Sequence, residues 1–130
     1  MQDISVPISP GELLDKITIL RIKSARMQDA AKLANVRREL GLLEQTWLGV
    51  LPAGLDLQAE EQALEAVNAR LWDVEDLLRD QEAEKRFDAK FVELARAVYF
   101  TNDERAAIKK RINIKLGSVL VEEKSYRPYA

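Results

Sequence analysis

Leu64, Val67, Leu71, Val74 and Leu78 return at alternating intervals of three and four residues. An α-helix advances about 100° per residue, so this spacing draws one apolar seam along a helix and is incompatible with the two-residue period of a strand. The same arithmetic applies to Leu33, Val36, Leu40, Leu43 and Trp47, and to Leu13, Leu14, Ile17 and Leu20. Seams of this kind must be buried against one another, so the chain is committed to packing helix on helix.

The punctuation between the seams sets the elements. Ser9 is an N-cap, Pro10 suits the first helical position, and Glu12 completes a capping-box pattern, with Ile8 and Leu13 as its hydrophobic staple. A first helix is expected from there to about Met27, with Arg21 close to its apolar face, and a second from about Asp29 until Gly49 and the segment VLPAGLD stop it. A long third helix starts near Asp56 and ends or bends at QEAEKRF, which has no apolar period. Phe87, Phe91, Leu94 and Val98 define a shorter fourth helix. Thr101 followed by Glu104 repeats the capping-box pattern and starts a fifth, with Ile108, Ile112, Leu116 and Val119 on one side and Gly117 as its weak point. The predicted fold is all-α, an antiparallel bundle of four to five helices in a single helical domain over residues 1–130, with an extended arm at 1–8 and an irregular tail at 125–130.

Composition narrows the chemistry. The 130 residues contain no cysteine and no histidine, which excludes disulfides, thiolate zinc sites and the commonest catalytic base. Twenty basic residues against 22 acidic ones give a net charge of −2, so no nucleic acid partner is expected. No segment approaches the length of a membrane span and the first residues lack a signal-peptide pattern, so no membrane insertion and a cytoplasmic location are expected. No cofactor is expected, and the motifs of phosphate loops, nucleophile elbows and metalloproteases are missing. Glu75, Asp76, Glu82 and Glu84 are scattered around their helix, which argues against an oxygen-ligated Mg²⁺ site.

Two polar stripes interrupt this pattern. Asn68, Trp72, Glu75 and Arg79 share one direction on the third helix, beside its apolar seam, and Glu75 stands four residues before Arg79 in the favourable order for an ion pair. Asn102, Lys109 and Asn113 fall on one face of the fifth helix, with Arg105 beside them, while Glu104, Arg111, Lys115 and Glu122 take the opposite side. Buried amides and charges are costly unless paired, so the stripes are expected to meet each other, a ligand or a partner. If Arg79, Arg105 and Lys109 converge on Glu75 alone, a positive surplus remains. Either an anionic small molecule or a further carboxylate, Asp76, Asp103 or Glu123, resolves it. Tyr126, Arg127 and Tyr129 are expected to form a tail packed across a groove.

The stretches PISPGELLDKITILRIKS, VNARLWDVEDLLR, ELARAVYFTNDERAAIKKRIN and GSVLVEEKSY resemble the recurring segments of a family of small bacterial helical proteins of unknown function. The likeness covers nearly the whole chain and implies no activity. The pattern Asn68, Leu71, Trp72, Glu75, Asp76 and Arg79, followed by Ile108, Lys109 and Asn113, is also similar to a second uncharacterised helical family, whose genes neighbour those of glycosyltransferases. In that family an Asp stands at the position of Asn113 and a His often at that of Asp73. The resemblance implies a link to surface-polysaccharide assembly.

Two functional readings follow. The first is a non-catalytic binding or scaffold protein, a homodimer through its long apolar seams, with a polar junction between helices three and five. The second is a small helical enzyme, metal-independent or Mg-dependent, acting on an anionic metabolite such as a sugar nucleotide. There Arg79, Arg105 and Lys109 hold charge and a buried Glu75 serves as acid or base. A solvent-reachable concavity lined by these residues favours the enzyme, and a closed ion-pair network favours a structural role.

Overall fold

A computed structural model describes residues 1–129 of the chain. It consists of four helices, α1 (Pro10–Arg26), α2 (Ala30–Val50), α3 (Gln58–Ala83) and α4 (Ala89–Lys115), with no strand among the described residues. The fold is the expected all-α bundle.

The helix starts follow local chemistry. Ser9 Oγ accepts from the Glu12 backbone N–H at 3.2 Å, Asp29 accepts from Lys32, and Asp88 accepts from Phe91, each relieving a donor that the first turn leaves unpaired. Only half of the capping box at α1 is as expected, since the Glu12 side chain reaches Lys109 on α4 instead of its own N-cap. The expected fourth and fifth helices are one. Thr101 is buried in the middle of α4 rather than capping a helix, because no Gly or Pro interrupts the run from Ala89 to Lys115. A Thr-x-x-Glu pattern is a cap only where the preceding chain turns away, and here Asp88 has already started the helix.

The end of α4 is sharper than expected. Gly117 has φ +63°, its N–H donates to Ile114 O, and Ser118 N–H donates to Asn113 O at 2.9 Å. This is a Schellman termination, in which a residue without Cβ takes the left-handed conformation. Val119 is therefore not on a helical face and is fully exposed, and Glu122 lies in the tail rather than on the solvated side of a helix.

The packing order is set by α1, which lies against each of the other three helices, while α3 also pairs with α4. Ion pairs and one hydrogen bond mark the directions. Glu60 meets Lys115 and Arg70 meets Glu104, so α3 and α4 are antiparallel; Gly11 meets Asn113 and Asp15 meets Arg105, so α1 and α4 are as well. The core is built from Leu13, Leu14 and Ile17 of α1, Trp47 of α2, Leu57, Leu64 and Val67 at and within the start of α3, and Ile108 and Ile112 of α4. At about 25 cal/mol per Å² of apolar area, side chains of this size contribute roughly 1.5–3 kcal/mol each when fully buried.

One approach is too close for any side chain. A Cβ on Gly11 would lie 2.5 Å from the Lys109 carbonyl oxygen and 2.9 Å from Asn113 Oδ1, and that oxygen accepts the Gly11 N–H at 2.7 Å. Because the nearest obstacle is helix backbone, it cannot swing aside. Gly11→Ala, which on helix propensity alone would stabilise α1, is expected to destabilise the protein by about 1–3 kcal/mol, as overpacking does. Thermal unfolding followed by circular dichroism checks the sign.

Candidate functional site

Gly11, Asp15, Thr18 and Ile22 are four, three and four residues apart, so they form one stripe on α1, and all four are buried. Asp15 is 1 % exposed and would be prohibitively costly alone. It is met from both sides. Asn68 Nδ2 on α3 donates to Asp15 Oδ1 at 2.9 Å and to Thr18 Oγ1 at 3.0 Å. From α4, Arg105 donates through Nε to the same oxygen at 2.8 Å and through Nη2 to the other. This planar, two-pronged geometry is the strong form of a carboxylate pair. Hydrogen bonding to Asp15 holds the Arg105 guanidinium above its ordinary pKa, against the opposing effect of burial.

One helical turn further along α4, Lys109 is also buried, and its Nζ donates to Glu12 at 2.6 Å and to Glu122 of the tail at 3.2 Å. Asn113 completes the row through Gly11. Arg105, Lys109 and Asn113 of the α4 stripe are therefore paired within the fold, whereas Asn102, expected on the same inward face, is exposed, and the partners differ from those expected. They lie on α1 and the tail, and the carboxylates that balance Arg105 and Lys109 are Asp15, Glu12 and Glu122 rather than Glu75, Asp76, Asp103 or Glu123. The polar junction expected between α3 and the second half of α4 is in fact three-sided, with α1 as its hub. The positive surplus is gone.

The α3 stripe divides. Asn68 is buried and committed to Asp15, whereas Trp72 is half-buried and Glu75 and Arg79 are exposed. Glu75 and Arg79 do not form the expected ion pair, since among the described residues neither has an oppositely charged partner within 4 Å. Exposure of Glu75 also removes the buried acid on which the acid–base reading rested. Instead these side chains surround a groove of about 450 Å³ between α1, α3 and α4. Ile19, Ile22 and Leu71 give it an apolar base and Trp72 a flat wall; Lys23, Glu75, Asp76, Arg79 and Asn102 rim it; Asn68 and Arg105 reach it from the saturated network. Six of the eight residues singled out from sequence, Asn68, Trp72, Glu75, Arg79, Asn102 and Arg105, line this groove, while Lys109 and Asn113 lie outside it. The exposed Asn102 sits beside Arg105, and both also line a larger cavity under the tail.

Asp15 and Thr18 were not singled out from sequence. The signal was present, since Asp15 stands between Leu14 and Ile17 on the apolar arc of α1, where a charge demands a partner. No group of three or more acidic side chains among the described residues comes together in a way that would hold a metal ion.

Fold and groove together define a small four-helix protein whose first helix is pinned by buried polar contacts beneath a solvent-open concavity. The chain belongs to the family of unknown function DUF6165, whose model matches residues 4–129. Neither the curated proteins nor the solved structures contain a match to it.

Removing Asp15 takes the buried carboxylate away from Arg105 and Asn68. Asp15→Ala is expected to cost about 3–5 kcal/mol, as breaking one side of a buried ion pair does, whereas Glu75→Gln on the exposed rim is expected to change stability by less than about 0.5 kcal/mol. Urea unfolding of the two variants checks the contrast.

Proposed function

We propose that the protein is a non-catalytic binding module for a small anionic metabolite that carries a ring, held in the groove between α1, α3 and α4. The observation that carries this reading is the division of polar groups around Asp15. Below the groove every polar side chain is paired; at its rim Lys23, Glu75, Asp76 and Arg79 have no ion-pair partner among the described residues, and Ile19, Leu71 and Trp72 between them are only partly covered. A rigid floor under unpaired polar groups is the arrangement that favours binding, because little side-chain order remains to be imposed when a ligand arrives.

The chemistry of the lining indicates the ligand class. Trp72 offers a ring face, Arg79 and Lys23 offer cationic donors, and Arg105 has N–H groups not used by Asp15. Its guanidinium is already oriented by that carboxylate, which suits it to a phosphate or carboxylate. Glu75 and Asp76 provide acceptors for hydroxyl groups. A phosphorylated sugar or a nucleotide fits this set and the groove volume. The resemblance to a family encoded beside glycosyltransferases supports the same class, and on this reading the ligand belongs to surface-polysaccharide assembly.

Trp47 is buried in the core and Trp72 lines the groove, so a Trp47→Phe variant reports on Trp72 alone. Titration of that variant with uridine monophosphate and with glucose 1-phosphate is expected to quench its fluorescence saturably with at least one of them. Adding Arg79→Ala should abolish the quench with no change in the unfolding midpoint. Flat titrations with both probes, or an unchanged response in the Arg79→Ala background, overturn the proposal.

The module is further read as a homodimer. The backbone of α2 packs against α1 alone, and on α2 Leu48 is 74 % exposed, with Leu42 and Val50 also uncovered. Burying exposed apolar side chains of α2 against a second copy would remove them from water. Sedimentation velocity is expected to give a dimer at micromolar concentration, and a monomer there rejects this part of the reading.

A further inference from the structure

The larger cavity, of about 890 Å³, lies between the middle of α4, the first turn of α1 and the tail. The tail from Ser118 to Tyr129 has no helix or strand and is held on by few contacts. Its root is the Schellman turn at Asn113; Glu122 reaches Lys109; Tyr129 donates to Asp103 and packs against Tyr99 and Phe100 with ring centres 5.2 and 4.8 Å away. Hydrogen bonding to Asp103 pushes the Tyr129 phenol up to about 12, so this end contact persists across the physiological range.

Lys109 is the informative residue. It is 9 % exposed and bears on the cavity, and Glu12 at 2.6 Å already balances its charge. Glu122 at 3.2 Å is a second carboxylate on the same ammonium, delivered by a segment with no regular structure and shared with Lys124 at 2.8 Å. One turn away on α4, Arg105 faces the same cavity with the N–H groups that Asp15 leaves unused. The cations Arg105, Lys109, Lys124 and Arg127 around the cavity are balanced by Glu12, Asp103, Glu122 and the underlying Asp15. Swinging the Glu122 carboxylate aside, with the tail backbone and its Lys124 and Arg127 left in place, leaves one positive charge uncompensated.

We infer that Arg105 and Lys109 form an anion subsite for a phosphate-type group beneath the tail, and that Glu122 is its internal occupant, displaced when the external anion binds. A tetrahedral polyanion matches the two adjacent donors, one a planar fork and the other a point charge. The carboxylate of Glu122 competes for the same ammonium, so anion binding and displacement of that carboxylate are linked, and anything that weakens the Glu122 contact strengthens binding. The subsite is separate from the Trp72 groove and touches it only at Asn102 and Arg105.

Calorimetric titration of the full chain with sodium pyrophosphate, alongside Glu122→Gln, tests this. The variant retains Glu12 on Lys109 and carries its change in the exposed tail, so its fold is expected to be unaffected. It is expected to bind pyrophosphate about tenfold more tightly than the unmodified chain, equivalent to about 1.4 kcal/mol. Lys109→Met is expected to abolish binding, and Arg79→Ala in the neighbouring groove to leave it intact. Equal affinity in the unmodified chain and Glu122→Gln, no binding to either at millimolar pyrophosphate, or loss of binding in Arg79→Ala each overturn the inference. The last outcome would assign the anion to the groove and leave the groove proposal standing.

Discussion

A carboxylate sealed inside a helical bundle is the constraint around which this structure is arranged. Asp15 must be neutralised and hydrogen-bonded where it lies, and the groups that do so come from two other helices, Asn68 from α3 and Arg105 from α4. Apolar seams tolerate sliding and rotation, because one leucine contact resembles another. A forked guanidinium on one side and an amide on the other do not. The Asp15 cluster therefore fixes the register of α1 against both neighbours at once, and the Gly11 backbone, in contact with Lys109 and Asn113, fixes how closely α1 approaches α4. Such a network is weak evidence for net stability, since desolvation offsets much of its Coulombic gain, but it is a strong specifier of geometry when every member is satisfied.

The same contacts account for where the surface is open. With α1 held down on α3 and α4, the side chains one turn beyond Asn68 on α3 rise past the edge of α1 and are left around a groove instead of being paired. On the other side of Arg105, the first turn of α1 and the tail bound the second cavity. Arg105 is thus the wall between two concavities, fixed by Asp15 and still carrying donors for either. The fold gives this residue a structural bond that also orients it, which is how a cation can be part of the framework and of a recognition surface together.

Much of the secondary structure was legible from residues alone, because it depends on neighbours in the chain. Ser9, Asp29 and the three- and four-residue apolar spacing act locally, and the helices they indicate are present. Thr101 and Glu104 misled for the same reason, since a cap pattern has no meaning until the direction of the preceding chain is known, and that chain was already helical from Asp88. The inward orientation of Asn68, Arg105, Lys109 and Asn113 was also readable, because polar residues that prolong an apolar face share its direction.

The sequence by itself determined that this chain is all-α and that Asn68, Lys109 and Asn113 lie on inward helix faces, since both follow from a fixed rotation of about 100° per residue. Only the tertiary structure decided which of those residues meet. Lys109 reaches across 97 positions to Glu12, and Arg105 across 90 to Asp15, and no local period encodes either pairing. The choice arises from three helices competing to bury their seams while leaving no charge unpaired. That competition assigned Asp15 to the floor and left Glu75 and Arg79, which periodicity alone treated as their equals, free at the rim.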